Sequence, residues 1–295
     1  MEGVTDFCFR EVVSRFLPKP DVLFTEFTNV DALNSSGFEK TIYKLKFSKI
    51  QNPIVAQIWG TNPENFYKSA KLIEKLGFDG IDINMGCPDR EVVKTGGGAK
   101  LINNHTLVNK IINTTREGAG NLALSVKTRI GYDKIITEYW ISFLLEQKID
   151  AISIHCRTAK QKSLGIANWK EIKKAVLLKN KISPNTVIIG NGDAKSYQEV
   201  LNKYEEFKPD GIMIGRGIFS NPWIFDKNDK GKHTPKEYKD ILIKHLNLYE
   251  PDQNFDSLKK FFKMYINNFK GANKLRIELM NTKNVYEALK LILKD

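Results

Sequence analysis

Short runs of apolar and β-branched residues alternate with amphipathic stretches over most of the chain. The apolar runs predict seven strands: Val22–Glu26, Ile54–Ile58, Gly80–Asn84, Leu122–Thr128, Ala151–His155, Val187–Gly190 and Gly211–Ile214. Apolar residues at helical spacing between them predict helices such as Pro63–Lys75, Ile135–Gln147, Trp169–Leu178 and Ser196–Phe207. Alternating βα units with strands that are apolar almost throughout indicate a parallel sheet covered by helices.

Polar or ionisable residues stand at the C-terminal end of strand after strand. They are Glu26, Gln57, Asn84, Lys127 with Arg129, His155 with Arg157, Asn191 with Asp193, and Arg216. In a (β/α)8 barrel these strand ends converge on one mouth, where such enzymes hold their active sites. An open Rossmann-like sheet would spread them along a line. We therefore predict an α/β fold of the (β/α)8 TIM-barrel type.

The two ends of the chain depart from this βα rhythm. Met1–Asp6 is typical of a strand-to-helix turn leading into the helix Phe7–Phe16, so we expect the first barrel strand to be truncated. After Trp223 a polar, lysine-rich linker, Asp226–His233, precedes a segment with two or three helices and no strand signal, up to Asp295. The predicted division is a barrel domain over 1–225 and a linker with a small helical domain over 226–295.

Composition narrows the class of protein. A hydrophobic share of 41% and a charged share of 27% exclude wholesale disorder. No apolar run approaches the ~18 residues of a membrane span and no signal peptide is recognisable, so we expect a cytoplasmic protein that binds no membrane. Three cysteines, Cys8, Cys87 and Cys156, are an odd number without metal-ligand spacing, which predicts reduced thiols.

A formal net charge of +12 favours a polyanionic partner, because lysine and arginine that neutralise phosphates release condensed counterions. A lysine-rich composition can equally reflect genome bias, so charge alone leaves both interpretations open. The stretch Lys259–Arg276 sharpens the question, since it holds six basic residues and no acid. Its aromatic residues at helical spacing predict core, and its lysines predict an opposite face that contacts phosphates or is merely solvated.

Two glycine-containing turns follow the last two strands: Gly190-Asn191-Gly192-Asp193 and Gly215-Arg216-Gly217. Glycine lets backbone N–H groups approach an anion, and Arg216 adds a fork-shaped cation. Either turn alone could be a tight turn that needs positive φ. Both turns beside an arginine favour the phosphate site that recurs in barrels.

A phosphate held at one side of the mouth implies a cofactor or substrate lying across it. Lys127 and His155 end neighbouring strands, and Gln57 offers an amide from across the barrel. These groups suit a flavin ring, because a lysine near its N1 and C2 oxygen stabilises the anionic reduced form. A snorkelling surface lysine and a satisfied core histidine are the structural alternatives for Lys127 and His155.

Cys87 lies in the stretch Asn84-Met85-Gly86-Cys87-Pro88, directly after a strand, which places it on a mouth loop. A lone cysteine is more often a small buried hydrophobe. At this position a thiol with a pKa near ~8.5 is mostly protonated at neutral pH and can act as a general acid. A nucleophilic role needs a neighbouring base, and the local sequence supplies none.

The motifs together resemble those of the tRNA-dihydrouridine synthases over essentially the whole chain and in order. The matching segments are Met1–Asp6 with Phe9-Arg10, Thr25–Phe27, Asp82–Pro88, Ser125–Gly131, Ile154–Thr158, Gly190–Asp193, Met213–Gly217, and Lys263–Tyr265 with Leu275-Arg276. The family has glycine where Cys156 stands, and a few apolar residues with an Ala-Pro pair before the first methionine. We expect Cys156 to be inert and part of the flavin contact near Met1 to be altered.

The resemblance implies an enzyme that binds FMN, uses NADPH and reduces uridine in tRNA to 5,6-dihydrouridine. It makes Cys87 the proton donor to uracil C5, while flavin N5 delivers hydride to C6. It places around FMN Met1, Gln57, Lys127, His155, Asn191, Gly192, Asp193, Gly215 and Arg216. Asn84 and Arg157 would hold the uracil. We add Lys259, Lys260, Lys263 and Lys270 as tRNA contacts, and we expect a monomer.

Two other functions fit part of the sequence. An FMN barrel acting on a free pyrimidine, like dihydroorotate or dihydropyrimidine dehydrogenases, would share the phosphate turns, but it leaves the Cys87 motif and the basic tail unexplained. A catalytically silent RNA-binding barrel would explain the tail. Flavin absorbance of the purified protein separates an enzyme from a silent binder.

Overall fold

A computed structural model describes residues 1–249, 254–267 and 269–294 of the chain. Eight parallel strands form one curved sheet. Their bounds are β1 Leu23–Phe24, β2 Thr28–Asn29, β3 Ile54–Trp59, β4 Gly80–Asn84, β5 Ala123–Arg129, β6 Ala151–His155, β7 Val187–Asn191 and β8 Gly211–Met213. The seven predicted strands are confirmed, and the two-residue β2 is additional.

Helices cover the outside of the sheet between successive strands. In the barrel they are α1 Phe7–Phe16, α2 Val30–Leu33, α3 Glu39–Ile42, α4 Pro63–Leu76, α5 Arg90–Lys94, α6 His105–Ala119, α7 Thr137–Glu146, α8 Lys170–Ile182, α9 Tyr197–Phe207 and α10 Gly217–Ser220. Short 3-10 helices span Tyr43–Leu45, Lys49–Gln51 and Gly98–Asn103. No helix in the described ranges is long and apolar enough to cross a membrane.

The strand order is sequential from β3 to β8, with β1 and β2 both paired to β3. This order, with helices between successive strands from β2 to β8, confirms the (β/α)8 TIM-barrel prediction. Met1–Asp6 forms a turn, as predicted, and lies between the ends of the first and last strands. The amide of Gly3 donates to the Glu26 carboxylate at 2.6 Å. On the other side, a Cβ at Gly215 would be 3.8 Å from Met1 Sδ.

Two hydrophobic clusters hold the chain together. The larger fills the barrel and the layer beneath its helices, with Ile58, Ile81 and Ile152 fully buried. The second joins α1, through Phe9 and its neighbours, to the C-terminal helices. The first helix of the barrel therefore packs as part of the helical region, and the predicted division at 225/226 stays a prediction.

Within its described residues the C-terminal region holds five helices rather than the two or three expected. They are α11 Pro235–Leu248, α12 Asp256–Lys259, α13 Phe262–Tyr265, α14 Ala272–Met280 and α15 Val285–Ile292. The stretch Lys259–Arg276 is thus not one helix. Gly271, with φ of +89°, begins a new helix in a direction that the apolar spacing does not reveal. Residues 250–253, 268 and 295 of the predicted helical domain lie outside the described residues.

Candidate active site at the barrel mouth

Strand register brings the predicted site residues to one end of the barrel. Asn84 is paired in register with Lys127, and His155 is paired with Arg129 on one side and Asn191 on the other. The ammonium of Lys127 donates to the Asn191 side-chain oxygen across 3.4 Å. The parallel strands of a barrel end on the same side of it, so polar residues that are about a hundred positions apart in the sequence lie in one cavity wall.

Cys87 lies on a turn that its neighbours hold in place. The Asn84 side-chain oxygen accepts from the amides of Gly86 and Cys87, at 3.1 and 2.9 Å. Gly98, with φ of +56°, packs so closely that a Cβ there would come within 2.6 Å of the Cys87 carbonyl oxygen. The thiol is partly exposed, and burial raises its pKa above the ordinary value. It is therefore a protonated thiol at neutral pH.

Arg129 joins two loops of the mouth. Its Nε donates to the Gly86 carbonyl at 2.6 Å, and its Nη1 donates to the Thr158 and Lys162 carbonyls at 3.0 and 2.8 Å. The side chain is buried. In the sequence, Arg129 stood out as an ionisable residue at the end of a strand, but no role followed from that position. Its place as the last residue of a strand was the available signal.

Arg157 and Asp193 form an ion pair that shapes the loop after β6, with the Arg157 side chain buried and the Asp193 carboxylate partly exposed. Arg157 Nη2 donates to both carboxylate oxygens, at 2.8 and 2.6 Å, and to the Gly165 carbonyl at 2.5 Å. The Asp193 carboxylate also accepts from the Ala167 amide. Most of their polar atoms thus serve the protein itself. The expected contacts of Arg157 with uracil and of Asp193 with FMN stay predictions.

His155 is neutral in this environment. Burial, followed by the charges of Lys127 and Arg129, lowers its pKa to about 2. Its Nε2 lies 3.4 Å from Arg157 Nη1, which fits an acceptor nitrogen with the ring proton on Nδ1. Lys127 has its pKa lowered to about 8 by burial and then by Arg129, so it still carries most of its charge at pH 7.

The glycine turns leave one open, cationic wall. The Arg216 side chain is exposed and has no hydrogen-bond or ion-pair partner among the described residues. A Cβ at Gly215 would meet nothing closer than Met1 Sδ, whereas a Cβ at Gly192, where φ is +130°, would be 2.9 Å from the Ala167 Cβ. The space beside Gly215 and the unpaired guanidinium suit an anionic group such as a phosphate.

Gln57 lies deeper in the same wall and is almost fully buried. Its amide nitrogen donates to Asp82 at 2.8 Å, and its oxygen accepts from Asn84 at 3.0 Å.

Cys156 is also buried, and its surroundings raise the pKa of its thiol to about 12. A thiol in that state neither ionises nor reaches solvent, which agrees with the expectation that Cys156 is inert.

Three of the predicted lysines lie together on the helical region, and the ammonium of Lys260 also faces the Met1–Asp6 turn, because a Cβ at Gly3 would be 3.6 Å from it. Lys259, Lys260 and Lys263 line an open groove of about 410 Å³ with Arg276. Lys259 is ion-paired to Asp256 at 2.7 Å and is only 16% exposed. Lys270 is exposed but does not line the groove. We call Lys260, Lys263 and Lys270 the exposed lysine set; their contact with tRNA stays a prediction.

Known proteins match this chain along its whole length. The model of the family described as dihydrouridine synthase matches residues 1–294. A probable tRNA-dihydrouridine synthase of Staphylococcus aureus strain Mu50 is 44% identical over 99% of this chain and 90% of its own length. Probable tRNA-dihydrouridine synthase 2 of Bacillus subtilis strain 168 is 41% identical over 99% of this chain and 91% of its own length.

A solved structure shares the fold at low sequence identity. A variant of NCR from Zymomonas mobilis is 15% identical, with a TM-score of 0.50 over 82% of this chain and 91% of that one. At this identity the likeness shows the fold alone. The family match and the two bacterial relatives reach further, because they cover the Cys87 turn and the helical region with the barrel. On that evidence the chain belongs to the dihydrouridine synthase family of oxidoreductases.

Proposed function

We propose that this protein reduces uridine in tRNA to 5,6-dihydrouridine, with bound FMN as the flavin and NADPH as the reductant. Membership of the dihydrouridine synthase family and the names of its relatives support the reaction and the substrate. The observation that carries the proposal is the Cys87 thiol. It is partly exposed at the mouth, held on a fixed turn, and kept protonated by its surroundings.

The residues at the mouth fit an anionic flavin nucleotide. Arg216 is an unpartnered cation beside the open face of Gly215, which suits the phosphate. Lys127 is a cation in a partly buried wall, which suits a ring that becomes anionic on reduction. The remaining residues that would hold FMN are Met1, Gln57, His155, Asn191, Gly192 and Asp193. Bound FMN, once reduced, supplies the hydride that uracil C6 accepts.

Cys87 supplies the other half of the reduction. Hydride addition at C6 leaves negative charge at C5, and a thiol beside that carbon gives up its proton to complete the saturated C5–C6 bond. The raised pKa keeps the proton on sulfur until charge develops. The Arg129 guanidinium offsets this effect by favouring the thiolate that remains, and solvent then returns a proton to the partly exposed sulfur.

The substrate reaches this mouth as part of a polyanion. Asn84 retains one amide hydrogen beyond its bond to Gln57, which can meet a uracil oxygen. In the groove, Lys260, Lys263 and Arg276 offer positive charge for RNA phosphates, whereas the charge of Lys259 is already paired with Asp256. A uridine must leave its stack to enter the barrel, and phosphate contacts outside the barrel contribute binding energy for that step.

The experiment compares wild type with Cys87→Ala and Cys87→Ser on unmodified tRNA. General acid catalysis is worth ~10²–10⁴-fold, so we expect both variants to lose that much dihydrouridine formation while keeping bound flavin. Flavin absorbance, reduction by NADPH and dihydrouridine content are measured on the same samples. Wild-type turnover in either variant would contradict the role of Cys87. Equal turnover of free uracil or uridine by wild type would favour the free-pyrimidine alternative.

A further inference from the structure

An aspartate is buried beneath the mouth, and the proposed reaction gives it no role. Asp82, in β4, is 0% exposed, and it accepts from Gln57 Nε2 at 2.8 Å and from Ser125 Oγ at 2.6 Å. Lys127 is the charged side chain that acts on it electrostatically. An ionised carboxylate in a barrel interior is costly, and an apolar residue would fill the same space at lower cost. Its presence calls for a role other than packing.

The hydrogen bonds from Asp82 run in one direction to the Cys87 turn. Gln57 donates to Asp82, Asn84 donates to Gln57, and the amides of Gly86 and Cys87 donate to Asn84. Every side chain in this series is at least nine-tenths buried. The carboxylate is therefore connected to the backbone of the proposed proton donor through two amide side chains.

The order of the series depends on the carboxylate, since an ionised carboxylate only accepts hydrogen bonds. Gln57 must present its nitrogen to Asp82, and so must present its oxygen to Asn84. Asn84 must then present its nitrogen to Gln57 and its oxygen to the turn. If Gln57 were reversed, Asn84 would reverse too, and its NH₂ group would face the N–H groups of the turn, donor against donor.

We propose that Asp82 is a positioning residue for uridine reduction, which fixes the orientation of the Gln57 and Asn84 amides and thereby the turn that presents the Cys87 thiol. The inference rests on the proposed function, because it takes Cys87 as the proton donor. Burial raises the Asp82 pKa to about 6, which leaves the group mainly ionised at neutral pH and agrees with an acceptor-only role.

The main variant is Asp82→Asn, which keeps the shape and can donate as well as accept. Misplacement of a reacting group by about 1 Å can cost ~10²-fold, so we expect dihydrouridine formation to slow by roughly tenfold to a hundredfold. The rates are compared at saturating FMN, because Gln57 is also a proposed FMN contact, and flavin reduction by dithionite should stay at the wild-type level. Asp150→Asn is the matched control, because among the described residues only the Leu124 amide donates to that exposed carboxylate, which lies at the opposite end of the barrel.

A second measurement needs neither flavin nor tRNA. Cys87 is partly exposed while Cys8 and Cys156 are buried, so iodoacetamide reports on Cys87. A loosened turn exposes the thiol and lowers its raised pKa, and we expect Asp82→Asn to be alkylated faster than wild type near pH 8. Cys87→Ala identifies the labelled residue. If Asp82→Asn does not fold, the smaller Asp82→Ser, whose hydroxyl can also donate, takes its place in every assay.

A double-mutant cycle separates positioning from general stabilisation. If Asp82 acts through Asn84, Asp82→Asn should have no further effect on the rate in an Asn84→Ala background. The inference would be overturned if the two substitutions reduced the rate of dihydrouridine formation additively, or if the rate fell in proportion to flavin content. It would also be overturned if Asp82→Asn were alkylated and reduced uridine at wild-type rates. If the wild type itself formed no dihydrouridine, the proposed function would be refuted instead. The alkylation rate of Cys87 would still test whether Asp82 fixes the position of the turn.

Discussion

The barrel mouth and the helical region use positive charge in opposite ways. At the mouth, Arg129 and Arg157 are buried and direct their donors at carbonyls and carboxylates of the protein itself. On the helical region, Lys263 and Lys270 are exposed and form no ion pair with the described residues. Buried guanidinium groups thus hold the loops of the site in place, whereas exposed ammonium groups remain available to a polyanion. Each prediction below tests one side of this comparison.

The largest expected effect comes from removing a buried guanidinium. Arg129→Met leaves three carbonyl oxygens without their donor, and each unsatisfied buried group costs ~1–3 kcal/mol. We expect the free energy of unfolding to fall by at least about 3 kcal/mol, as measured by urea denaturation. Arg116→Met, at an exposed arginine on α6, is the control and should cost less than about 1 kcal/mol. Equal stability of the two variants would remove the distinction drawn above.

The exposed lysine set tests the other side. Lys260, Lys263 and Lys270 changed together to Gln should weaken tRNA binding and reduce the slope of log K against log salt. The reduction is ~0.7–0.9 per lost contact, or at most about 2.1–2.7 for three. Lys259 is left unchanged because Asp256 already neutralises it. Flavin reduction should be unaffected, and the free energy of unfolding should change by less than about 1 kcal/mol, because all three side chains are exposed, although the Lys260 ammonium lies 5.1 Å from the centre of the Phe261 ring.

The matched control for the lysine set removes the same charge elsewhere. Lys75, Lys148 and Lys181 are exposed and lie at or just after the C-terminal ends of α4, α7 and α8, on the side of the barrel away from the mouth. Changed together to Gln, they should leave the salt slope nearly unchanged. An equal loss of slope in both triple variants would mean that net charge, rather than this surface, attracts tRNA.

Arg216 is the exception at the mouth, because it is exposed and unpartnered there. Arg216→Ala should weaken FMN binding by about 1.5–3 kcal/mol, since the phosphate loses a charge-assisted hydrogen bond. The unfolding free energy without FMN should not change, in contrast to Arg129→Met. Flavin retained after dialysis and FMN titration of the flavin-free protein provide the measurement. Unchanged occupancy would place the phosphate elsewhere.

The smallest effect concerns the charge of Lys127. Its pKa is lowered to about 8, so the ammonium is lost as pH rises through 8, and we expect FMN affinity to fall by at most about tenfold per pH unit above it. Without FMN the sign reverses. The unfolded chain binds more protons than the folded one between pH 8 and 10.5, so this residue adds stability as pH rises. Lys127→Met should bind FMN weakly, and independently of pH in this range.

The sequence was sufficient for the strands and for the mouth, because both follow from apolar runs and from what stands after them. Gln57, Lys127 and His155 were found in this way. The Arg157–Asp193 pair was not, because each residue lies two positions after the end of its strand, on loops whose course sequence position does not reveal. The role of Asp82 was missed for a related reason. The alternation of side chains along β4 places it inside the barrel, but no local pattern shows that Gln57 is its hydrogen-bond partner.

The C-terminal segment shows the limit of helical periodicity. Leu258, Phe261 and Tyr265 are buried as their spacing predicts, so the aromatic core was foreseeable. The break between α13 and α14 was not, because spacing reports which face is apolar and not where the backbone turns. Gly271 was the signal in the sequence for this break, because glycine adopts a positive φ at little energetic cost.

Arg129 has a consequence for motion at the mouth. One guanidinium holds Gly86 on the Cys87 turn together with Thr158 and Lys162 on the loop after β6. Neither loop can open without releasing a bond from the same side chain, so their local openings are coupled into one cooperative event. The thiol and the loop beside it therefore stay closed or open together, and the barrel meets its substrate with a wall already in place.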